Sequence, residues 1–374
     1  MSTRPIPIVT GRNLRNRGRR VAVIGAGSWG TTFAKVLCDA GCDVTVWARR
    51  REVAHEIQVA KRNTQYLAGI NLPKSLKATD DLSVALRGAG LVFLAVPSQT
   101  LRQNLLDIEP YLDRRSVLVS LVKGVEKTTT MRMSQVMADT LDLDPTRIGV
   151  ISGPNIALEI AKEQPTGGVA SCADLTVAQE IATAASAPYF RTYVNTDVVG
   201  TELGGVLKNL IALAIGIVDG VGYGENTKAA IITRGIAEMT QFSVAHGADP
   251  ATLSGLAGLG DLIATCQSPL SRNNTAGRLI GQGYTQEETR EQMQQVAEGI
   301  TSVPPVLELA RELGIRMPIV EQVQMVLDGR MAPKDLGPHL ATEDDVPQPE
   351  QAIPDGAHEG TWRRLLNRLK GTQA

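Results

Sequence analysis

One short stretch, Gly25-Ala26-Gly27-Ser28-Trp29-Gly30, constrains the fold of this chain more than any other. It directly follows the apolar run Arg20-Val21-Ala22-Val23-Ile24 and precedes a helical pattern from about Thr31 to Ala40. A strand, a GxGxxG loop and a helix in that order make the dinucleotide fingerprint. Gly25 permits the tight turn, Gly27 lets the backbone approach a pyrophosphate, and Gly30 allows close helix–strand packing. The helix N-terminus then offers N–H groups and the positive end of its dipole to the phosphates. Gly41 suits the left-handed residue that ends such a helix. A second strand, Asp43-Val44-Thr45-Val46-Trp47, completes a βαβ unit.

Apolar runs at 91–96, 116–122 and 147–151 read as further buried parallel strands. Their alternation with helical stretches argues for an α/β fold, a doubly wound Rossmann domain over residues 20–195. After about residue 195 helical periodicity takes over, with candidate helices at 202–218, 227–246, 286–295 and 303–313. The last should open at Pro304-Pro305 and stop at Gly314. Residues 196–332 are therefore expected to form an all-helical second domain. Residues 1–19 read as a flexible basic arm. Residues 333–374, with five prolines between Pro333 and Pro354, read as a disordered linker. The linker would end in a short amphipathic tail, with Trp362, Leu365, Leu366 and Leu369 on one face.

Composition removes several function classes. A net charge of -1 gives no general attraction to nucleic acid, and aromatics at 3% are too few for a base-stacking platform. The four cysteines, Cys38, Cys42, Cys172 and Cys266, lack the spacing of a zinc site or a disulfide framework. Reduced thiols in a cytoplasmic protein are expected, and no metal site. The basic N-terminus lacks the apolar segment of a signal peptide. The longest apolar stretch, 203–218, carries Lys208 and Asn209, so no membrane anchor is expected.

Where the second strand ends, an NAD site would place an acidic residue on the ribose 2′-hydroxyl. This chain has Arg49, Arg50 and Arg51 instead. A guanidinium there can pair with a 2′-phosphate, which points through Arg49 to NADPH, with NADH possible; Arg50 and Arg51 read equally well as a solvated basic turn. Lys208 lies on a helix apolar almost all round, where desolvation would lower its pKa into the acid–base range. The bland alternative is a snorkelling lysine. Gly258-Leu259-Gly260 makes a demanding turn that presents Asp261. Ser271-Arg272-Asn273-Asn274 gathers the donors that grip a phosphate, or simply starts a helix with Ser271 as its cap. Lys123-Gly124 and Ser152-Gly153-Pro154-Asn155 each follow a strand, at the carboxyl edge of the sheet where ligands bind.

These segments, taken in order, resemble the bacterial NAD(P)-dependent glycerol-3-phosphate dehydrogenase family. The likeness runs from about Val21 to Leu327 through GAGSWGT (25–31), AVPS (95–98), KG (123–124), SGPN (152–155), LGGVLKN (203–209), TRGIAEM (233–239), GLAGLGDL (255–262) and SRN (271–273). It implies reversible reduction of dihydroxyacetone phosphate to sn-glycerol 3-phosphate for phospholipid synthesis, in a homodimer. It implies Lys208 as proton donor and acceptor, with Lys123, Gly153, Asp261, Ser271, Arg272 and Asn273 at the substrate. Ser28, Trp29, Arg49, Tyr66, Lys123, Gly153, Ala157, Arg272, Val296 and Glu298 would meet the cofactor beside the glycine loop. Val122 stands where the family often has threonine.

Two rivals stay open on the residues alone. One is a dehydrogenase of the same plan acting on another hydroxy acid or sugar phosphate. The other is a catalytically silent dinucleotide-binding regulator.

Overall fold

The structure, a computed structural model, describes residues 16, 18–293 and 297–342. Eight strands form one sheet: β1 (Arg20–Ile24), β2 (Asp43–Trp47), β3 (Lys77–Thr79), β4 (Leu91–Leu94), β5 (Val117–Ser120), β6 (Ile148–Ser152), β7 (Thr166–Cys172) and β8 (Phe190–Asn195). Their order is β3-β2-β1-β4-β5-β6-β7-β8. From β3 to β6 all neighbours are parallel, with β1 between β2 and β4, the reversal at which doubly wound sheets bind ligands. β7 runs antiparallel to β6 and pairs in parallel with β8, so the sheet is mixed rather than purely parallel. β4 and β5 are fully buried, which explains their unbroken apolar sequence. One apolar core packs Phe33, Phe93 and Phe190 on one face of the sheet; a second, around Leu101, Leu105 and Met137, covers the other.

Beyond β8 the described residues are helical. Their axis is a core helix, Val198–Val221, capped by the Asp197 side chain on the Gly200 N–H and ended by Gly222 at φ 101°. Every residue from Gly200 to Val218 is buried. It is long and apolar enough to cross a membrane by length and composition, and it is instead the centre of a packed core. The helix Glu225–Ala245 lies against it and anchors two later elements. Glu238 accepts hydrogen bonds from the Ile319 and Val320 N–H groups, at the start of the helix Pro318–Leu327. Arg234 donates to the Leu340 carbonyl.

Three boundaries differ from the sequence reading. Pro304 and Pro305 lie in the middle of a helix, Glu298–Glu312, rather than opening it, and each forgoes one intrahelical backbone hydrogen bond. Residues 333–342, expected to belong to the linker, form instead the helix Pro333–Thr342, which buries Leu336 and Leu340; the rest of that expected linker lies outside the described residues. The arm expected to be flexible to residue 19 is fixed at Asn16, which is fully buried and donates to the Ala40 and Thr183 carbonyls. The amphipathic segment around Trp362 lies outside the described residues.

Burial pushes the Glu238 carboxyl up to about 8, against the opposing pull of its two backbone donors. A carboxyl whose folded value is raised stabilises the fold fully below its unfolded value, and that stability is lost as pH rises to about 8. Thermal melts of Glu238→Gln should therefore gain on the parent chain between pH 5 and pH 9. A constant difference across that range would show that Glu238 stays ionised.

Candidate functional site

The glycine loop takes the conformation its sequence requires. Gly25 has φ 110°, and a Cβ there would sit 2.4 Å from the Ala95 carbonyl oxygen of the AVPS segment. A Cβ on Gly30 would fall 2.0 Å from the Gly25 carbonyl oxygen, so no larger residue fits between helix and strand. Gly27 differs: nothing lies within 4 Å of where its Cβ would be. The helix Ser28–Asp39 starts beside that open space with no side-chain cap and no acid in its first turn. A bare helix N-terminus beside an open glycine is what a dinucleotide pyrophosphate needs. The Ser28 hydroxyl donates to the Tyr66 carbonyl, Trp29 packs on Phe33, and the Ala157 carbonyl accepts from Thr32 on the same helix.

At the ribose end the three arginines separate. Arg49 is exposed. Arg50 donates to the Tyr66 hydroxyl at 2.9 Å and to Gln65, with its guanidinium 5.3 Å from the Tyr66 ring centre. It is thus Arg50, rather than the Arg49 favoured from the sequence, whose guanidinium is held in place.

The second centre joins the two halves of the chain. Asp261, 1% exposed, receives the Lys208 ammonium on Oδ1 at 2.8 Å and the Lys123 ammonium on Oδ2 at 2.5 Å. Lys123 also donates to the Gly153 carbonyl, and Lys208 to the Thr265 hydroxyl at 2.6 Å. The core helix supplies Lys208. The segment after β5 supplies Lys123, and the segment after β6 supplies Gly153. Asp261 opens the helix Asp261–Gln267 directly after one π turn, Leu256–Gly260, of a kind often found at functional sites. That turn packs so closely on the core helix that a Cβ on Gly204 would meet the Ala257 carbonyl oxygen at 2.4 Å.

Burial pushes the Lys123 ammonium down to about 8; Asp261 pulls it up, and the Lys208 charge adds to the depression. Part-buried Glu298 is pushed upward by burial, while Arg272, Lys123 and Lys208 pull it back. Arg272 is exposed at the start of the helix Arg272–Gly281, which Ser271 caps through the Asn274 N–H. Asn273 accepts from the Gly299 N–H, tying that helix to the one carrying Glu298. Val296 lies outside the described residues.

One residue of this centre escaped the sequence reading. Thr265 stands four residues after Asp261, one helical turn, and that spacing was the available signal. Asn155, two residues past Gly153, has both side-chain amide atoms buried without a hydrogen-bond partner, as does the Ser152 hydroxyl. Orphaned polar atoms beside the lysine pair suit a site built for a polar ligand. A separate cleft of about 530 Å³, bordered by Arg132, Asp197 and Asp249, contains none of the predicted residues. Among the described residues no cluster of histidine, cysteine and carboxylate side chains could hold a metal.

Residues 20–178 match the family model for the NAD-dependent glycerol-3-phosphate dehydrogenase N-terminus, and residues 197–337 match its C-terminus. A Leifsonia xyli protein named glycerol-3-phosphate dehydrogenase [NAD(P)+] is 65% identical over 88% of this chain and 89% of its own length. A Corynebacterium glutamicum protein of that name is 52% identical over 84% and 96%. The crystal structure of glycerol-3-phosphate dehydrogenase from Coxiella burnetii superposes with a TM-score of 0.82 at 34% identity, over 87% of this chain and 99% of that one. In sequence and in fold, this chain belongs to the NAD-dependent glycerol-3-phosphate dehydrogenase family.

Proposed function

We propose that the chain reduces dihydroxyacetone phosphate reversibly to sn-glycerol 3-phosphate with NADPH, NADH being the alternative cofactor, in the supply of glycerophospholipid. The observation that carries this reading is the single buried carboxylate, Asp261, that holds two ammonium groups from the two halves of the chain.

When bound, the nicotinamide supplies hydride to the carbonyl carbon. Lys208 gives its Nζ proton to the carbonyl oxygen as negative charge develops there. Asp261 and Thr265 fix the direction of that Nζ. Lys123, cationic below about pH 8, stabilises the developing alkoxide in a site largely shielded from water. Asp261 offsets the cost of burying both cations, so the pair can stay close without mutual repulsion dominating. Arg272, with Ser271 and Asn273 around the helix start, grips the substrate phosphate and orients the ketone. Asn155 offers an unpaired amide to the substrate.

Gly25, Gly27, Ser28 and Gly30 cradle the pyrophosphate. Tyr66 and Arg50 meet the adenosine end, with Arg49 beside them, and Trp29, Ala157 and Glu298 complete the cofactor site. Arg50→Ala should raise the KM for NADPH about tenfold or more, the size expected for one lost charge-assisted contact, and leave that for NADH nearly unchanged. Arg49→Ala should have the smaller effect. Equal loss with both cofactors would remove the 2′-phosphate role. In this reading the enzyme works in the cytoplasm, where its four free, buried cysteines stay reduced, and as a homodimer. Sedimentation at the mass of one chain would overturn the dimer.

The direct assay incubates the purified full chain with NADPH and dihydroxyacetone phosphate. Loss of NADPH matched by sn-glycerol 3-phosphate is expected; no product would defeat the reading.

A further inference from the structure

Asn63 stands in no motif singled out from the sequence, on the segment between the helix Arg51–Ala60 and β3, yet it is completely buried against the glycine loop. Its side-chain amide donates to the Ala26 carbonyl at 2.9 Å and to the Thr31 hydroxyl at 2.8 Å. Thr31, also completely buried, donates in turn to the same Ala26 carbonyl at 3.2 Å. Two side chains thus converge on one peptide oxygen, and that oxygen belongs to the Ala26–Gly27 peptide at the centre of the loop.

A peptide group is planar, and in the trans form its C=O and N–H point in opposite directions. No cis peptide occurs among the described residues. Drawing the Ala26 oxygen inward therefore aims the Gly27 N–H outward, to the side where Gly27 has open space and the helix Ser28–Asp39 begins. A glycine-rich backbone without this anchor could rotate that peptide at little cost, because glycine tolerates many φ/ψ combinations. We propose that Asn63 is a positioning residue of the dinucleotide site: it locks the Ala26–Gly27 peptide so that the Gly27 N–H is preset to receive the cofactor pyrophosphate.

The preset loop saves the ordering cost that a mobile one would incur on binding. The same segment carries Tyr66, whose N–H donates to the Asn63 side chain at 3.4 Å and whose carbonyl accepts from Ser28 at 2.5 Å. One short segment therefore supports both the pyrophosphate loop and the Arg50–Tyr66 contact at the ribose. The two roles separate by ligand: only a ligand with a pyrophosphate reports on the Ala26–Gly27 peptide.

This inference rests on the dinucleotide reading above, and the experiment separates the two. Titration calorimetry of the full chain measures 2′-phospho-ADP-ribose, which contains the pyrophosphate, and adenosine 2′-monophosphate, which lacks it. Asn63→Asp keeps the shape and turns a donor toward Ala26 into a repelling oxygen. It should weaken 2′-phospho-ADP-ribose binding tenfold or more and leave adenosine 2′-monophosphate within twofold. Unchanged binding of both ligands, or equal loss of both, would overturn the positioning role. If the parent chain itself binds neither 2′-phospho-ADP-ribose nor ADP-ribose, the dinucleotide reading falls and this inference with it. Should Asn63→Asp fail to fold, Thr31→Val removes the second donor isosterically. It should cost 2′-phospho-ADP-ribose about threefold, again without affecting the monophosphate; no loss there would equally refute the inference.

Discussion

Lys208→Ala should lower kcat for dihydroxyacetone phosphate reduction about a thousandfold, within the usual range for loss of a general acid. The fold should survive, because alanine is a good helix former and the site lies inside a long packed helix. Cofactor affinity should stay within about twofold, since a residue that acts only as the reaction proceeds contributes little to ground-state binding. Small primary amines in the medium should restore part of the lost rate by entering the space vacated beside Asp261 and Thr265. Turnover left intact in the variant would remove the role assigned to Lys208. A fall in cofactor affinity equal to the fall in kcat would make the lysine a binding group instead.

Asp261→Asn should produce the largest loss of stability. The carboxylate is buried and is shared by two ammonium groups, so its removal leaves two cations without their counter-charge. Breaking a buried pair from one side typically costs about 3–5 kcal/mol, far more than the pair itself contributes. Lys123 sets the sign with pH. Lys123 already titrates near 8 because burial opposes its charge, and losing Asp261 removes the main influence pulling it up. In the variant the neutral lysine is favoured, so the penalty should be largest near pH 6 and shrink above pH 9. Activity should fall as well, because Lys208 loses the partner that directs its proton. Thermal melts across that range, read beside kcat, check both parts. A variant as stable as the parent at pH 6 would mean that the two lysines are not held by this carboxylate.

Much of this was legible locally. The loop at 25–30 declares itself because strand, glycines and helix are contiguous: Gly25 and Gly30 answer close backbone contacts, and Gly27 faces open space. Lys208 was legible because a lone cation in an apolar helix has few explanations. What was missed depends on distance. β7 reads TGGVASC, with two glycines where a strand signal needs side chains, and those glycines are explained only by Leu256 and Phe190 packing over them. β8, FRTYVN, is an edge strand whose polar residues hide its pairing. Arg49 was favoured over Arg50, because Tyr66, the partner that fixes Arg50, comes to it only through the turn of the folded chain. Asn63 is the extreme case: a common residue in an unremarked loop, given meaning by two hydrogen bonds across more than thirty residues of sequence. The bridge from Lys123 to Asp261 spans 138 residues, and neither motif alone says that the other lies beside it.

In the proposed function, the buried lysine–carboxylate centre protonates a phosphorylated ketone as the cofactor reduces it. That role is tested most directly by comparing kcat/KM for dihydroxyacetone phosphate and for an unphosphorylated 2-oxo acid, with NADPH saturating and the full chain at neutral pH. Turnover of dihydroxyacetone phosphate, with the 2-oxo acid slower by about a thousandfold or more, is the expected result for a site built to hold a charged phosphate. Preference for the 2-oxo acid, with no reduction of dihydroxyacetone phosphate, would contradict it.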